Sequence, residues 1–277
     1  MVAGALASEA EIVPIKTSGD QSAAPVGDKS RFVKEIEDAL LAGEVDVAVH
    51  SAKDVPGTLP EGLVIGAVPE AEDPRDALVG SGSLDELAEG AAVGTSSLRR
   101  RSQLLAIRPD IEVRPLRGNV DTRLAKLASG DHHAIVLALA GLRRLGRERE
   151  AAAVLDPRRF VPAPGQGMLA LELRAGDARA AAAVAPLDHE LSRRRLECER
   201  AVVARLDASC HTPVGASSEI ANGRLHAFAY VGLPDGTEWI TDAVEGAAGE
   251  PVTTGTLLAE RMLAAGAGDL LRRAETA

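Results

Sequence analysis

At 277 residues, with 45% hydrophobic and 26% charged side chains, the chain has an ordinary globular composition and enough length for two or three domains. A net charge of −10 and only 2% aromatic residues argue against a nucleic-acid surface, so an anionic partner would have to meet a local cluster of cations. The longest apolar run, "AIVLALAGL", falls far short of the roughly 18 residues of a membrane span, and the first residues carry no basic leader. The two cysteines have neither CxxC nor Cys/His ligand spacing, so a cytoplasmic chain with reduced thiols and no metal is expected.

In chain order, "SRFVKEIEDALLAG" from Ser30 predicts a helix with Phe32, Ile36 and Leu40 on one face and Gly43 as its stop. A strand "VDVAVH", a turn "SAKDVP" and a second strand "GLVIGAVP" follow. The Asp/Pro breakers of "AEDPRDALVG" predict a domain crossing, with a boundary near residue 72. Between residues 73 and 161 strands alternate with helices: "AAVGT", "SSLRRRSQLLAI", "IEVRPL", "DTRLAKLAS" closed by Gly130, and the buried-type strand "AIVLALA". That alternation predicts a parallel, doubly wound sheet. "VPAPGQG" reads as a second crossing, and helices are expected from about 177 to 206. The remainder, "GRLHAFAYVGLPDGTEWITDAVEG" and a helix from about 252, reads as two strands about a Pro-Asp-Gly turn in a small α+β unit.

Ligands of open α/β sheets bind beyond the carboxyl ends of strands, which selects "HSAKD", "GTSSLRR", "LRGN" and "AGLRR". Arg99, Arg100 and Arg101 open a helix whose expected N-cap is Thr95 or Ser96, where their charge opposes the helix dipole. One such arginine is simply a solvated face. With Arg117, Arg123, Arg143 and Arg144 also just past strands, a polycarboxylate ligand is the better reading, because the guanidinium fork matches carboxylates. Asp54 is either a turn aspartate or the one acid among these cations, able to hold a cationic group; His50 reads as a core histidine.

Cys198 falls at helical spacing with Leu191, Val202 and Leu206 and reads as core. Cys210, in "RLDASCHTPVGA", lies off that stripe and is either a quiet thiol or a nucleophile or attachment point. A Cys-His hydrolase using His211 would leave the arginines without a task.

The segments "VHSAKDVP", "EDPRDALV", "VGTSSLRR", "LRGNVDTRLAKL", "LALAGLRRLG", "PAPGQG" and "ERAVVARLDASCHTPVGA", in this order, resemble the porphobilinogen deaminase (hydroxymethylbilane synthase) family over nearly the whole chain from about residue 17. The resemblance implies an α/β fold of two periplasmic-binding-protein-like doubly wound domains plus a small C-terminal α+β domain. It divides the chain into 1–72 plus about 167–186, 73–161, and 187–277. It implies a cytoplasmic, monomeric transferase that adds four porphobilinogens head to tail to a dipyrromethane cofactor, held by a thioether that aligns with Cys210, and then releases the tetrapyrrole by hydrolysis. Loss of ammonia leaves an azafulvene cation, which the resemblance assigns to the Asp54 carboxylate, also a cofactor contact.

About twelve carboxylates on a six-ring chain would need partners in the cleft. By the resemblance Lys53, Arg99, Arg100 and Ser97 hold the cofactor. Ser51, Thr95, Arg117, Arg123 and Arg144 meet substrate, and Gln166 lies at a hinge. The family's glycine-rich mobile loop is here "VGDKSRFVKE", and its first strand, with an Arg-x-Ser-x-Leu motif, has no counterpart, so about twenty residues before Met1 are expected from the resemblance. A cytosolic binding protein for a small carboxylate, sharing the cleft without catalysis, is the alternative of a different class.

Overall fold

Three β-sheets organise the residues that the computed structural model describes, namely 2–6, 9–17, 33–208 and 212–276. The first stretch gives helix α1 (Lys34–Ala42) and strands β1 (Ala48–Ser51) and β2 (Leu63–Ala67). Helix α1 ends where expected: Gly43 takes φ +75°, and the Gly43 and Glu44 N–H groups donate to Leu40 O and Ala39 O, closing the last turn. Phe32, expected on its apolar face, lies outside the described residues.

The second stretch gives β3 (Asp76–Val79), β4 (Ala92–Gly94), helix α2 (Leu98–Ile107), β5 (Glu112–Arg114), helix α3 (Val120–Ala128), β6 (Ala134–Ala138), helix α4 (Leu139–Arg144) and β7 (Ala153–Val154). After the second crossing come β8 (Leu169–Arg174) and helices α5 (Ala178–Val184) and α6 (Glu190–Leu206). The chain closes with β9 (Val214–Ala221), β10 (Arg224–Gly232), β11 (Trp239–Ala247) and helices α7 (Pro251–Ala264) and α8 (Ala267–Glu275).

The strand orders are β1-β8-β2, β5-β4-β6-β3-β7 and β11-β10-β9. The expectation of a parallel sheet over 73–161 holds for β4 with β5 and β6, but β3 runs antiparallel to both β6 and β7. Likewise β8 returns to the first sheet antiparallel to β1 and β2. Both reversed strands directly follow a crossing.

Strand β3 had been absorbed into the breaker segment. Its Asp/Pro signal is spent in one tight turn, where the Asp73 carboxylate accepts the Arg75 N–H at 3.0 Å, and all four following residues are buried. Strand β9 was also missed, since "VGASSEIA" shows no apolar alternation although Ser217 and Ser218 are buried. Among the described residues β1 has a ladder partner on one edge only, and in the run 9–17 Ile12 and Val13 stand exposed. No described helix is long and apolar enough to cross a membrane.

The last sheet packs against α6, α7 and α8, with Cys198, Val202, Leu225, Leu258 and Met262 in one buried cluster. Cys198 is therefore core, as its spacing predicted. Helices α6 and α7 approach closely because Gly255 has no side chain; a Cβ there would overlap the Cys198 carbonyl oxygen and stand 3.0 Å from the Ala201 Cβ. Gly255→Ala is expected to separate the two helices at a cost of about 1 to 3 kcal/mol, overpacking outweighing the alanine's better helix propensity. A thermal or urea denaturation comparison reads this directly as a lower midpoint.

Candidate functional site

The second crossing lies against both the turn that follows β1 and the first crossing. The Ala52 N–H donates to Met168 O at 3.0 Å, and the Glu72 N–H donates to Gly167 O at 3.0 Å. Gly165 takes φ +72°, and a Cβ on it would stand 3.0 Å from Ala52 C and Lys53 N; at Gly167, φ +86°, a Cβ would overlap Glu72 O. Residues 162–168 are thus wedged between the Ala52–Asp54 turn and residues 72–73. Ser51 is exposed, whereas Lys53 and Asp54 are half-buried on a single 3₁₀ turn.

The charge at this junction centres on Asp76, the first residue of β3 and 0% exposed. Its Oδ2 accepts Arg99 Nη1 at 2.7 Å. Its Oδ1 accepts Arg100 Nε at 3.0 Å, Arg100 Nη2 at 2.7 Å and Gln166 Nε2 at 3.0 Å. Burial pushes the Asp76 carboxyl up, but Arg100, Arg99 and Gln166 outweigh it and bring it down to about 2, so it is ionised at neutral pH. Arg99 and Arg100 are each 5% exposed and also donate to Val161 O (2.7 Å) and Val136 O (3.0 Å). The Arg99 Nε is buried with no partner.

Two guanidiniums sharing one carboxylate leave a surplus positive charge in a nearly closed site. The helix that delivers them starts one or two residues later than expected. Ser97, not Thr95 or Ser96, is the N-cap of α2, its Oγ accepting the Arg100 N–H at 3.4 Å. Ser96 instead bridges to Leu116, its Oγ donating to Leu116 O and accepting Leu116 N–H, both at 3.0 Å. Thr95 is buried, and its Oγ1 accepts the Ser97 N–H at 3.2 Å.

The other predicted residues fall into two groups. Arg123, half-buried on α3, donates through Nε to Gly118 O at 2.7 Å. Burial pushes its guanidinium down to about 10, with Arg100 adding to the shift and Asp54 opposing it. Arg144 donates to Gly167 O at 2.6 Å on the second crossing. Burial lowers its pKa, with Glu72 opposing. Arg117 is exposed. Arg143 is engaged by Glu72 and Glu148, each at 2.8 Å, and those bonds raise its pKa. Cys210 and His211 lie outside the described residues, as does most of the 26–34 loop.

His50 is buried as expected and meets Glu172 Oε2 through Nε2 at 3.0 Å. Three contributors escaped the sequence reading. Asp76 sat inside what read as a breaker. Glu199 on α6, 2% exposed, accepts Gly165 N–H (2.7 Å), Ser218 N–H (2.8 Å) and the Ser218 hydroxyl (2.9 Å). Burial raises its pKa against the opposing pull of Arg195 and these donors. The third is a dock between α2 and the β10–β11 turn. There the Ser102 hydroxyl donates to Leu233 O at 2.6 Å and accepts from the Tyr230 hydroxyl at 2.7 Å.

Compared with known proteins, residues 1–182 match the family model "Porphobilinogen deaminase, dipyromethane cofactor binding domain". Residues 194–264 match "Porphobilinogen deaminase, C-terminal domain". Among solved structures, the chain is similar to the periplasmic VFT2 domain of Bordetella pertussis BvgS at 20% identity and TM-score 0.31, covering 55% of this chain and 64% of that domain. It is also similar to a periplasmic substrate-binding protein of a Coxiella burnetii ABC transporter, at 17% identity and TM-score 0.36 over 55% of this chain and 74% of that one. The chain spans just under two thirds of the BvgS domain.

Arg101 makes no contact with Asp76. Its Nε donates to Pro234 O at 3.2 Å and its Nη1 to Val113 O at 3.3 Å, so it ties α2 to the last sheet. Arg101→Leu is therefore expected to lower stability by about 1 to 3 kcal/mol, seen as a reduced melting temperature, while leaving ligand-dependent stabilisation of the folded protein intact.

Proposed function

The chain belongs to the porphobilinogen deaminase family, and from that premise we propose that it joins four porphobilinogens head to tail, with loss of ammonia, and releases hydroxymethylbilane by hydrolysis. What supports the residue roles is the buried Arg99–Asp76–Arg100 group of surplus charge, tied through Gln166 to the crossing that packs on the turn bearing Asp54.

A dipyrromethane fits this donor set. Each of its pyrroles presents carboxylates, the Arg99–Asp76–Arg100 group is one negative charge short, and Arg99 Nε is a buried donor without an acceptor. Lys53, Ser97, Arg99 and Arg100 would hold it, with Asp54 at its pyrrole nitrogens and Cys210 as the thioether anchor. When bound, the cofactor supplies the α-carbon nucleophile onto which units are added.

The chain's own groups supply charge and position. Asp54 takes up the N–H of the incoming pyrrole and balances the positive charge that develops as ammonia leaves, a group aimed at charge formed only in the transition state. Ser51, Thr95, Arg117, Arg123 and Arg144 neutralise the acetate and propionate arms and so fix the ring's orientation over Asp54. Gln166 holds the second crossing to Asp76 and serves as the hinge contact.

We read the chain as three units, 1–72 with about 167–186, 73–161, and 187–277; the return of β8 to the sheet of β1 and β2 supports this division. A cytoplasmic monomer is the form in which we read it.

The assignment to Cys210 rests on chemistry. Burial pushes the Cys198 thiol up to about 12, with Glu199 adding to it, so that group is almost wholly protonated at neutral pH. Intact mass under denaturing conditions, followed by peptide mapping, is expected to find two linked pyrroles on Cys210 and none on Cys198; an adduct on Cys198, or turnover without an adduct, overturns the assignment. Asp54→Asn keeps shape but not charge. It is expected to lose at least about a hundredfold in turnover with an unchanged melting temperature, and near-normal turnover would remove Asp54 from the chemistry.

A further inference from the structure

We propose that Asp76 is a positioning residue that acts as a built-in competitor for the anions held by Arg99 and Arg100, keeping their grip on passing carboxylates reversible. The inference rests on the reading above, in which Arg99 and Arg100 hold the cofactor's carboxylates, which must shift as units are added beyond them.

The geometry sets up the competition. Asp76 takes the Nε–Nη2 edge of Arg100 and one Nη1 hydrogen bond of Arg99, so both guanidiniums are oriented and half neutralised before any ligand arrives. Arg99 keeps an unpartnered buried Nε, and the trio carries one positive charge rather than two. A fork already engaged on one edge can offer a carboxylate only its remaining donors. With the second edge also free and a full extra charge in a nearly dry site, a carboxylate would be held far more tightly and leave more slowly.

Gln166 adds a mechanical consequence. Its Nε2 bonds both Asp76 Oδ1 (3.0 Å) and Pro74 O (2.6 Å), so the competing carboxylate is held from the crossing loop as well as by the arginines. An incoming anion meets an Asp76 that cannot swing away. Burial lowers the Arg99 pKa, with Asp76 opposing and Arg100 adding, in line with a pair whose charge is only partly compensated.

The test compares wild type with Asp76→Asn, using inorganic sulfate as the probe so that one readout is independent of activity. Expected for Asp76→Asn is a lower melting temperature in sulfate-free buffer. Its rise with sulfate should saturate at a concentration at least about tenfold lower than in wild type, since ligand-dependent stabilisation follows RT ln(1 + [L]/Kd). In turnover, KM for porphobilinogen falls or holds while kcat drops about tenfold or more, and intact mass shows partly elongated covalent species accumulating. A variant that folds only in the presence of sulfate also supports the proposal.

Equal sulfate midpoints in the two proteins overturn it, as do a raised KM with unchanged kcat and a variant that stays unfolded at any sulfate concentration; the last would make Asp76 a structural counter-ion and nothing more. Absence of any pyrrole adduct on wild type would instead overturn the assigned reaction, leaving the sulfate comparison to decide the competition.

Discussion

A single carboxylate with no exposed surface sets the arrangement of this molecule. Asp76, on β3, receives four donors from two segments that are far from it in sequence, the start of α2 and the second crossing. An isolated ion in that position would cost several kcal/mol, so the strand can carry an aspartate there only because both arginines come with it. The reverse also holds. Two arginines at a helix N-terminus oppose the helix dipole and would be poorly placed without a buried acid in front of them.

A second buried acid works on the same loop from the other side. Glu199 holds Gly165 N–H while Asp76 holds the Gln166 side chain, so adjacent residues of the second crossing are fixed by α6 and by β3 respectively. Because Gly165 lies in backbone contact with Ala52 and Lys53, the position of the turn bearing Lys53 and Asp54 depends on both acids. Glu199 also takes two hydrogen bonds from Ser218 on β9. The crossing loop is therefore where the three sheets exchange hydrogen bonds, and positive φ at Gly165 and Gly167 is what lets backbone meet backbone there.

Much of this was legible in the sequence where a local rule dominates. Gly43 marked the end of α1, the apolar run marked β6, and Cys198 declared itself core by its spacing with Val202. The arginines were singled out for being misplaced, and the structure gives Arg99 and Arg100 a partner inside the fold, the buried Asp76 carboxylate. What the pattern could not supply was the partner's identity. Asp76 follows Asp73 and Pro74 and looks like a third breaker, when only the first two form the turn and the third opens a fully buried strand. Strand direction was hidden for a related reason. Alternation of strands and helices implies parallel neighbours only if the chain stays within one sheet, and β3 and β8 are the strands by which it enters or re-enters. Arg101 shows the limit of reading along a helix. It neighbours Arg100 in sequence, yet the 3.6-residue turn sends it toward Pro234 and the last sheet.

The two cysteines show burial deciding chemistry. A thioether forms from a thiolate, and with its pKa pushed up to about 12 by burial and Glu199 the Cys198 sulfur is held as the thiol at neutral pH. The same environment that makes it good core, apolar neighbours on α7 and the last sheet with Glu199 beside it, removes it from reaction. Helix α6 then ends at Asp207 with φ +52°, a left-handed turn that aspartate tolerates better than most residues. The chain leaves the helical stripe at that point, three residues before Cys210. Cys210 lies outside the described residues, and its proposed role as the anchor comes from its alignment with the family's cysteine; burial of Cys198 closes the other thiol to that chemistry.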